Sequence, residues 1–282
     1  MNDRDQIQDK QSTDQSEEKL FRQWYRFIKD HGFTWKGILS RYKGNGSLDE
    51  VLDSTRRFTP LADASQIEHY VCFLNQDDPS KVQENTWIIE KCGPGISHPI
   101  DLSSTTMFSS KSSGILSRPF RKDQVNLTEI YLLEGNRRIS VVISYFPDRS
   151  KESGNPCVLS RISLFREVKL DVVPFPWSNQ RPEVSNRDYP SIKAIDTLVL
   201  RSGTFDEIPL PDYPVHWPKD GRLIFDFPDG ISINVPETLE PGHDSTLILS
   251  WRYSTDRIKR GIANFTDDTR TADLITQECV IV

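Results

Sequence analysis

The chain opens on a helical pattern and then changes period. Leu20, Trp24, Phe27 and Ile28 recur at spacings of three and four, and Phe21 and Tyr25 widen the stripe. This predicts one amphipathic helix over about Glu17–His31. Ser16 suits its N-cap, Glu17 and Glu18 suit the positive end of its dipole, and Gly32 suits a left-handed stop. From Trp35 onward apolar residues alternate with polar ones. Strands are predicted within Trp35–Lys43, Leu48–Phe58, Ile67–Leu74, Val82–Glu90, Leu127–Leu133, Arg138–Phe146 and Val158–Val168. Turn chemistry separates them at Gly44-Asn45-Gly46, Asn75 to Pro79, Gly93-Pro94-Gly95 and Glu134-Gly135-Asn136. A second set follows within Thr197–Ser202, Arg222–Phe227, Gly230–Val235, Ser245–Tyr253, Gly261–Phe265 and Asp273–Val282, with Pro228-Asp229-Gly230 as a turn. Many short strands joined by hairpin turns describe meanders that close as barrels.

Composition divides this pattern into parts. Residues 1–16 are rich in Gln, Asp and Ser and are expected to be a disordered tail. Residues 17–172 hold the helix and a first barrel. Residues 173–191 form a proline-rich linker that Phe175 and Trp177 would pack down, and residues 192–282 hold a second barrel-like unit. Hydrophobic residues make up 36% of the chain, below the roughly 45–50% of ordinary globular proteins counted with Gly, so the 10% of aromatics must supply much of the core. The net charge of −6 argues against nucleic acid and anionic membranes as partners, although Arg118, Arg121 and Lys122 form a small basic patch around Phe120. No apolar run is long enough to span a membrane, and the polar first nineteen residues carry no secretory pattern. The expectation is a cytoplasmic protein whose widely spaced Cys72, Cys92, Cys157 and Cys279 are thiols. Cys279 to Val282 match a prenylation box in form and read as an apolar last strand.

No dinucleotide, P-loop or nucleophile-elbow motif occurs. None of His31, His69, His98, His216 and His243 lies near another in sequence, so no metal and no cofactor is expected. Weak catalytic candidates remain. His69 alternates within a strand and could serve as a general base, and His98 sits in a Gly-Pro loop at an expected barrel mouth. Glu129 is a candidate acid, and Arg252 interrupts an apolar strand where an inward guanidinium could hold a carboxylate. Trp35, Trp87, Tyr131 and Tyr145 are candidates for a ligand-binding wall, although plain core packing is the favoured reading of each. Arg138 could orient a ligand, but strand alternation puts it opposite Tyr145, which shares a face with Val141 and Ile143. Tyr145 is taken as luminal.

Several segments together carry a family resemblance. They are the helix followed by Trp35-Lys36-Gly37, Trp87 in a later strand, the run from Phe225 to Pro236 (FDFPDGISINVP), Leu249 to Tyr253, and Ala263 to Asp267. Over about Glu17 to Asp268 the chain resembles a family of cyanobacteria and plastids catalogued as a domain of unknown function. Its serine-rich stretch Ser103–Ser113 departs from that pattern. The resemblance implies two lipocalin-like (calycin) barrel units in one chain and supplies no catalytic residues. The leading function is therefore binding of an apolar or amphipathic small molecule. Alternatives are a cofactor-independent cyclase, isomerase or chromophore lyase of a biosynthetic pathway acting on a polyene, isoprenoid or bilin, and an assembly or interaction factor. Oligomeric state is not legible.

Overall fold

The computed structural model of the chain describes residues 3–92, 95–99, 101–119, 124–148, 156–172, 177, 183–184, 190–240, 243–265 and 272–282. The Gly93-Pro94 turn, the basic residues Arg121 and Lys122, and most of the linker fall outside them. One helix, α1 (Asp3–His31), precedes every strand. It begins well before Glu17, so Ser16 lies inside it rather than capping it, and residues 3–16, expected as a disordered tail, continue the helix. No Gly or Pro occurs between Asn2 and His31, so nothing in that stretch breaks a helix once the aromatic turn is anchored.

Ten strands follow: β1 (Thr34–Lys43), β2 (Leu48–Pro60), β3 (Gln66–Asn75), β4 (Val82–Cys92), β5 (Gly95–His98), β6 (Asp101–Ser109), β7 (Ser113–Ser117), β8 (Asn126–Glu134), β9 (Arg137–Pro147) and β10 (Cys157–Lys169). Each pairs antiparallel with the next, and β10 returns to β1 from Trp35↔Lys169 to Lys43↔Arg161. The meander is therefore a closed barrel. Strands β6 and β7 carry no clear alternation in sequence because Ser104, Ser109, Ser113 and Ser117 are buried within them, and small polar side chains inside blur the pattern. His98 ends the short strand β5 rather than sitting in a loop.

The second unit comprises β11 (Glu183–Val184), β12 (Ile192–Leu200), β13 (Glu207–Pro209), β14 (Arg222–Phe227), β15 (Ile231–Pro236), β16 (Thr238–Leu239), β17 (Ser245–Arg252), β18 (Arg257–Phe265) and β19 (Asp273–Ile281). Eight of these form one antiparallel sheet in the order β11-β14-β15-β17-β18-β19-β12-β13, while β16 pairs with β10 of the barrel. The chain is mainly β: a closed antiparallel barrel and a second antiparallel sheet behind one N-terminal amphipathic helix.

Two packing interfaces position everything else. The C-terminal half of α1 closes one end of the barrel. Trp24 and Phe27 are buried there, Trp24 Nε1 donates to the Ala64 carbonyl at 2.6 Å, and the Phe108 amide donates to Gln23 Oε1 at 2.6 Å. The other interface joins the two units. Ile130, Leu132, Ile139, Val141, Ile143 and Tyr145 on the outside of the barrel share one core with Phe225, Ile231, Ile233, Leu247, Leu249 and Trp251 of the second sheet. At this contact β8 and β18 approach closely because Gly261 lacks a side chain: a Cβ there would lie 2.6 Å from Ile130 Cγ2 and 3.2 Å from Leu132 Cδ2.

Two outcomes are expected. Gly261→Val should cost about 1–3 kcal/mol through overpacking, and because the core is shared, both units should still unfold in a single calorimetric transition. Trp24→Ala should cost ~3–5 kcal/mol, read by denaturant melts; a loss near that of a surface change would show that the helix does not seal the barrel.

Candidate functional site

Strand alternation inside the barrel gathers its chemistry at the helix-capped end. Arg56 lies between Ser54 and Phe58 on β2, Glu167 follows Phe165 by two on β10, and Arg138 precedes Ser140 and Val142 on β9. Period two points all of them inward. The Glu167 carboxylate is the meeting point. Arg56 reaches it with Nε at 2.8 Å and Nη2 at 2.6 Å, and Arg138 Nε donates to it at 2.9 Å. Arg56 also donates to Glu129 at 3.1 Å and to Ser140 Oγ at 2.9 Å. Flat rings cover the guanidiniums: Arg56 lies 3.9 Å from the Phe165 centroid and Arg138 4.3 Å from that of Trp35. Burial alone would raise the Glu167 pKa, but Arg138 and Arg56 outweigh it and hold the carboxyl at about 2.

Above this cluster lies a cavity of about 260 Å³. Its wall is largely aromatic, from Phe27, Phe58, Phe73, Trp87, Phe108, Tyr131 and Phe165, with Val71, Ile89, Ile96, Leu116, Leu127 and Val142 between them. The polar side chains at its surface are few: His31, His69, His98, Arg56, Glu129, Arg118, Ser104 and Thr106. His69 stacks on Phe58 with centroids 4.1 Å apart, and its Nδ1 lies 2.9 Å from His98 Nε2. His31 is held by Arg138, whose Nη1 lies 3.1 Å from the imidazole Nδ1. Among the described residues the Nε2 atoms of both His31 and His69 are buried without a hydrogen-bond partner. Burial first, then Arg138 and Arg56, keeps His31 neutral well below the usual imidazole range. Burial first, then His98 and the same two arginines, does so for His69. His98 is lowered by burial, with Glu129 opposing. Burial and the adjacent Glu129 push the Tyr131 phenol well above its ordinary value, so it is a neutral hydroxyl.

The candidates named from sequence divide accordingly. Trp87, Tyr131, His69, His98 and Glu129 meet in the cavity. Trp35 does not line it; the indole lies beneath Arg138 and donates from Nε1 to the His31 carbonyl at 3.2 Å. The placement of Tyr145 is corrected. Alternation does set it opposite Arg138, but Arg138 is the inward residue, and Tyr145 points outward into the inter-unit core, where its hydroxyl donates to the Pro236 carbonyl at 2.7 Å. The second sheet makes the outer face of β9 as apolar as any lumen, and only packing separates the two. Arg252 is also corrected: it is exposed on the second unit and donates to the Ser254 and Thr255 carbonyls at 3.3 and 2.5 Å, closing the turn after β17. His31, Arg56 and Glu167 were missed. Their signal was a charged or imidazole side chain on the apolar face of an otherwise amphipathic element. Groups of three or more His, Cys, Asp or Glu able to hold a metal do not occur among the described residues, and none of the helices described there is long and apolar enough to cross a membrane.

Residues 21–169, just over half of the 282, match the family model described as the N-terminal part of a domain of unknown function, DUF3598. The chain belongs to this family. A crystal structure of a DUF3598 family protein of unknown function from Nostoc punctiforme superposes with a TM-score of 0.65 at 16% identity, over 92% of this chain and 99% of that one. The two-unit fold is thus shared within the family. An S-type phycobiliprotein lyase from Guillardia theta aligns with a TM-score of 0.38 at 12% identity, over 56% of this chain and 98% of that one. No curated protein matches.

The buried charges and imidazoles set how stability responds to acid. His31, His69 and His98 have folded pKa values below their unfolded value near 6.5, so they take up protons only on unfolding, and stability should fall as pH drops through 6.5. Glu167 is depressed from 4.5 to about 2. Its contribution, about 3 kcal/mol, is complete above pH 4.5 and lost toward pH 2. Urea melts from pH 8 to 3 should show this two-stage decline, with His69→Phe flattening the first stage. Glu167→Gln, which leaves two guanidiniums without their shared carboxylate, should cost ~3–5 kcal/mol at pH 7.

Proposed function

We propose that the N-terminal barrel binds an apolar or amphipathic small molecule in the cavity between α1 and the barrel wall. The observation that supports this most directly is an aromatic-walled cavity with two buried imidazole nitrogens left without a partner among the described residues. Buried polar atoms are nearly always paired, so an orphan at a cavity surface is a place for a ligand atom. Apolar walls with a few fixed polar groups are the usual make-up of small-molecule sites, and about 260 Å³ lies just below their ~300–1,000 Å³ range, as suits a small ligand. Trp87, Tyr131, His69, His98 and Glu129 would contact the ligand, joined by Phe58 and Phe108. A filled barrel would have favoured an assembly factor instead.

The second reading, an enzyme working without metal or cofactor, draws on the His69–His98 pair 2.9 Å apart beside Glu129. Two linked imidazoles and a carboxylate can take a proton from a bound molecule and return it elsewhere.

Intrinsic fluorescence tests the binding reading. Trp87 is the tryptophan at the cavity surface, so a bound chromophore should quench emission saturably; the quenching should be lost in Trp87→Phe and retained in Trp251→Phe. A panel of bicyclic aromatics, carotenoids, fatty acids, isoprenoid diphosphates and bilins that gives no response in any class would overturn the reading.

A further inference from the structure

We infer that the ligand of this cavity is an uncharged, fused-ring compound of about two rings that presents a carbonyl-type oxygen to His31. The inference rests on the binding reading above and adds the ligand's chemical class.

The tautomer of His31 is fixed by its neighbour. Arginine has donors and no acceptor, so with Arg138 Nη1 at 3.1 Å the imidazole Nδ1 must be the acceptor. In a neutral imidazole the proton then sits on Nε2. His31 lines the cavity while Arg138 does not, so the ring edge turned away from Arg138 is the one the cavity meets. That edge is a buried N–H with no acceptor among the described residues. Its complement is a hydrogen-bond acceptor carried by the ligand. His31 also touches Phe108 and Tyr131, with ring centroids at 4.7 and 5.3 Å, so the acceptor must project from a body that packs among rings.

Charge decides which acceptor. A ligand carboxylate or phosphate would need a cation to replace its lost water. The cavity-lining cation nearest the His31 end is Arg56, and its three nitrogens already serve Glu167, Glu129 and Ser140. An anion there would also face the Glu129 carboxylate at the cavity surface. Arg118 lines the cavity too, but at the far end: its amide donates to the carbonyl of Leu127, which precedes Tyr131 by two periods of the pleat along β8. An anion held by Arg118 would leave the His31 donor unmet. A neutral ketone, lactone or quinone oxygen satisfies His31 at no charge cost. Size follows from volume. A cavity of about 150 Å³ takes benzene, so one of about 260 Å³ admits two fused rings.

Isothermal titration calorimetry at about pH 7.5 with three matched probes tests this: 2-acetylnaphthalene, 2-ethylnaphthalene and 2-naphthoate. The ketone should bind about tenfold or more tighter than the hydrocarbon, as expected for pairing an orphaned buried donor, and naphthoate should bind more weakly than either. In His31→Phe the ketone should fall to the level of the hydrocarbon while hydrocarbon affinity holds. His31→Gln offers an amide oxygen to Arg138 and an N–H to the cavity, and should restore the preference; circular dichroism confirms that both variants are folded. Naphthoate binding as tightly as the ketone, or a ketone preference that survives in folded His31→Phe, overturns the inference and leaves the binding reading standing. If none of the three probes binds, this inference falls, and the binding reading falls with it only if the wider fluorescence panel is silent as well.

Discussion

One carboxylate holds the interior of the barrel together. Glu167 is fully buried, and an isolated carboxylate there would be expelled or protonated. It stays ionised because Arg56 from β2 and Arg138 from β9 converge on it. Each arginine then reaches further: Arg56 to Glu129 on β8, and Arg138 to His31 on α1 and to the face of Trp35 on β1. Five strands and the helix are thereby tied to one point. A buried network of this kind adds little net stability over an apolar core, but it tolerates few alternative arrangements.

That constraint also makes the cavity. Charged side chains at the helix-capped end are fixed by one another and do not extend into the remaining lumen, so the rings above them surround free space. The helix contributes Phe27 and His31 to the same wall. His31 connects the two halves of the arrangement: one ring nitrogen belongs to the charge network, and the side chain also lines the cavity. The function proposed for the barrel therefore depends on the electrostatics of its floor as much as on its aromatic wall.

The second unit acts on the first from outside. Its apolar face covers β7 to β10, and Gly261 lets β18 lie close against β8. Those barrel strands are therefore buried on both faces, apolar outside and partly charged inside, unlike β4, whose outward residues are exposed. Two-sided burial explains why β9 is buried along most of its length, including the inward Arg138 and Ser140.

The sequence by itself determined the element types and most of their order. Period 3.6 at Leu20 to Ile28 can only be a helix with one buried face, and alternation with Gly-Asn turns can only be a meander, because these patterns follow from local geometry. It also determined that Tyr145 and Arg138 face opposite ways, since parity along a strand is local. Which of them faces the lumen was decided by the tertiary structure alone, because the answer depends on what packs against the far side of β9. The same holds for the union of Arg56, Arg138 and Glu167, which are far apart in sequence and meet only when β10 closes onto β1. His31, the last residue of its helix, was legible as a helix-ending imidazole; that one ring nitrogen is committed to Arg138 and the other is buried with no partner among the described residues is a property of its neighbours.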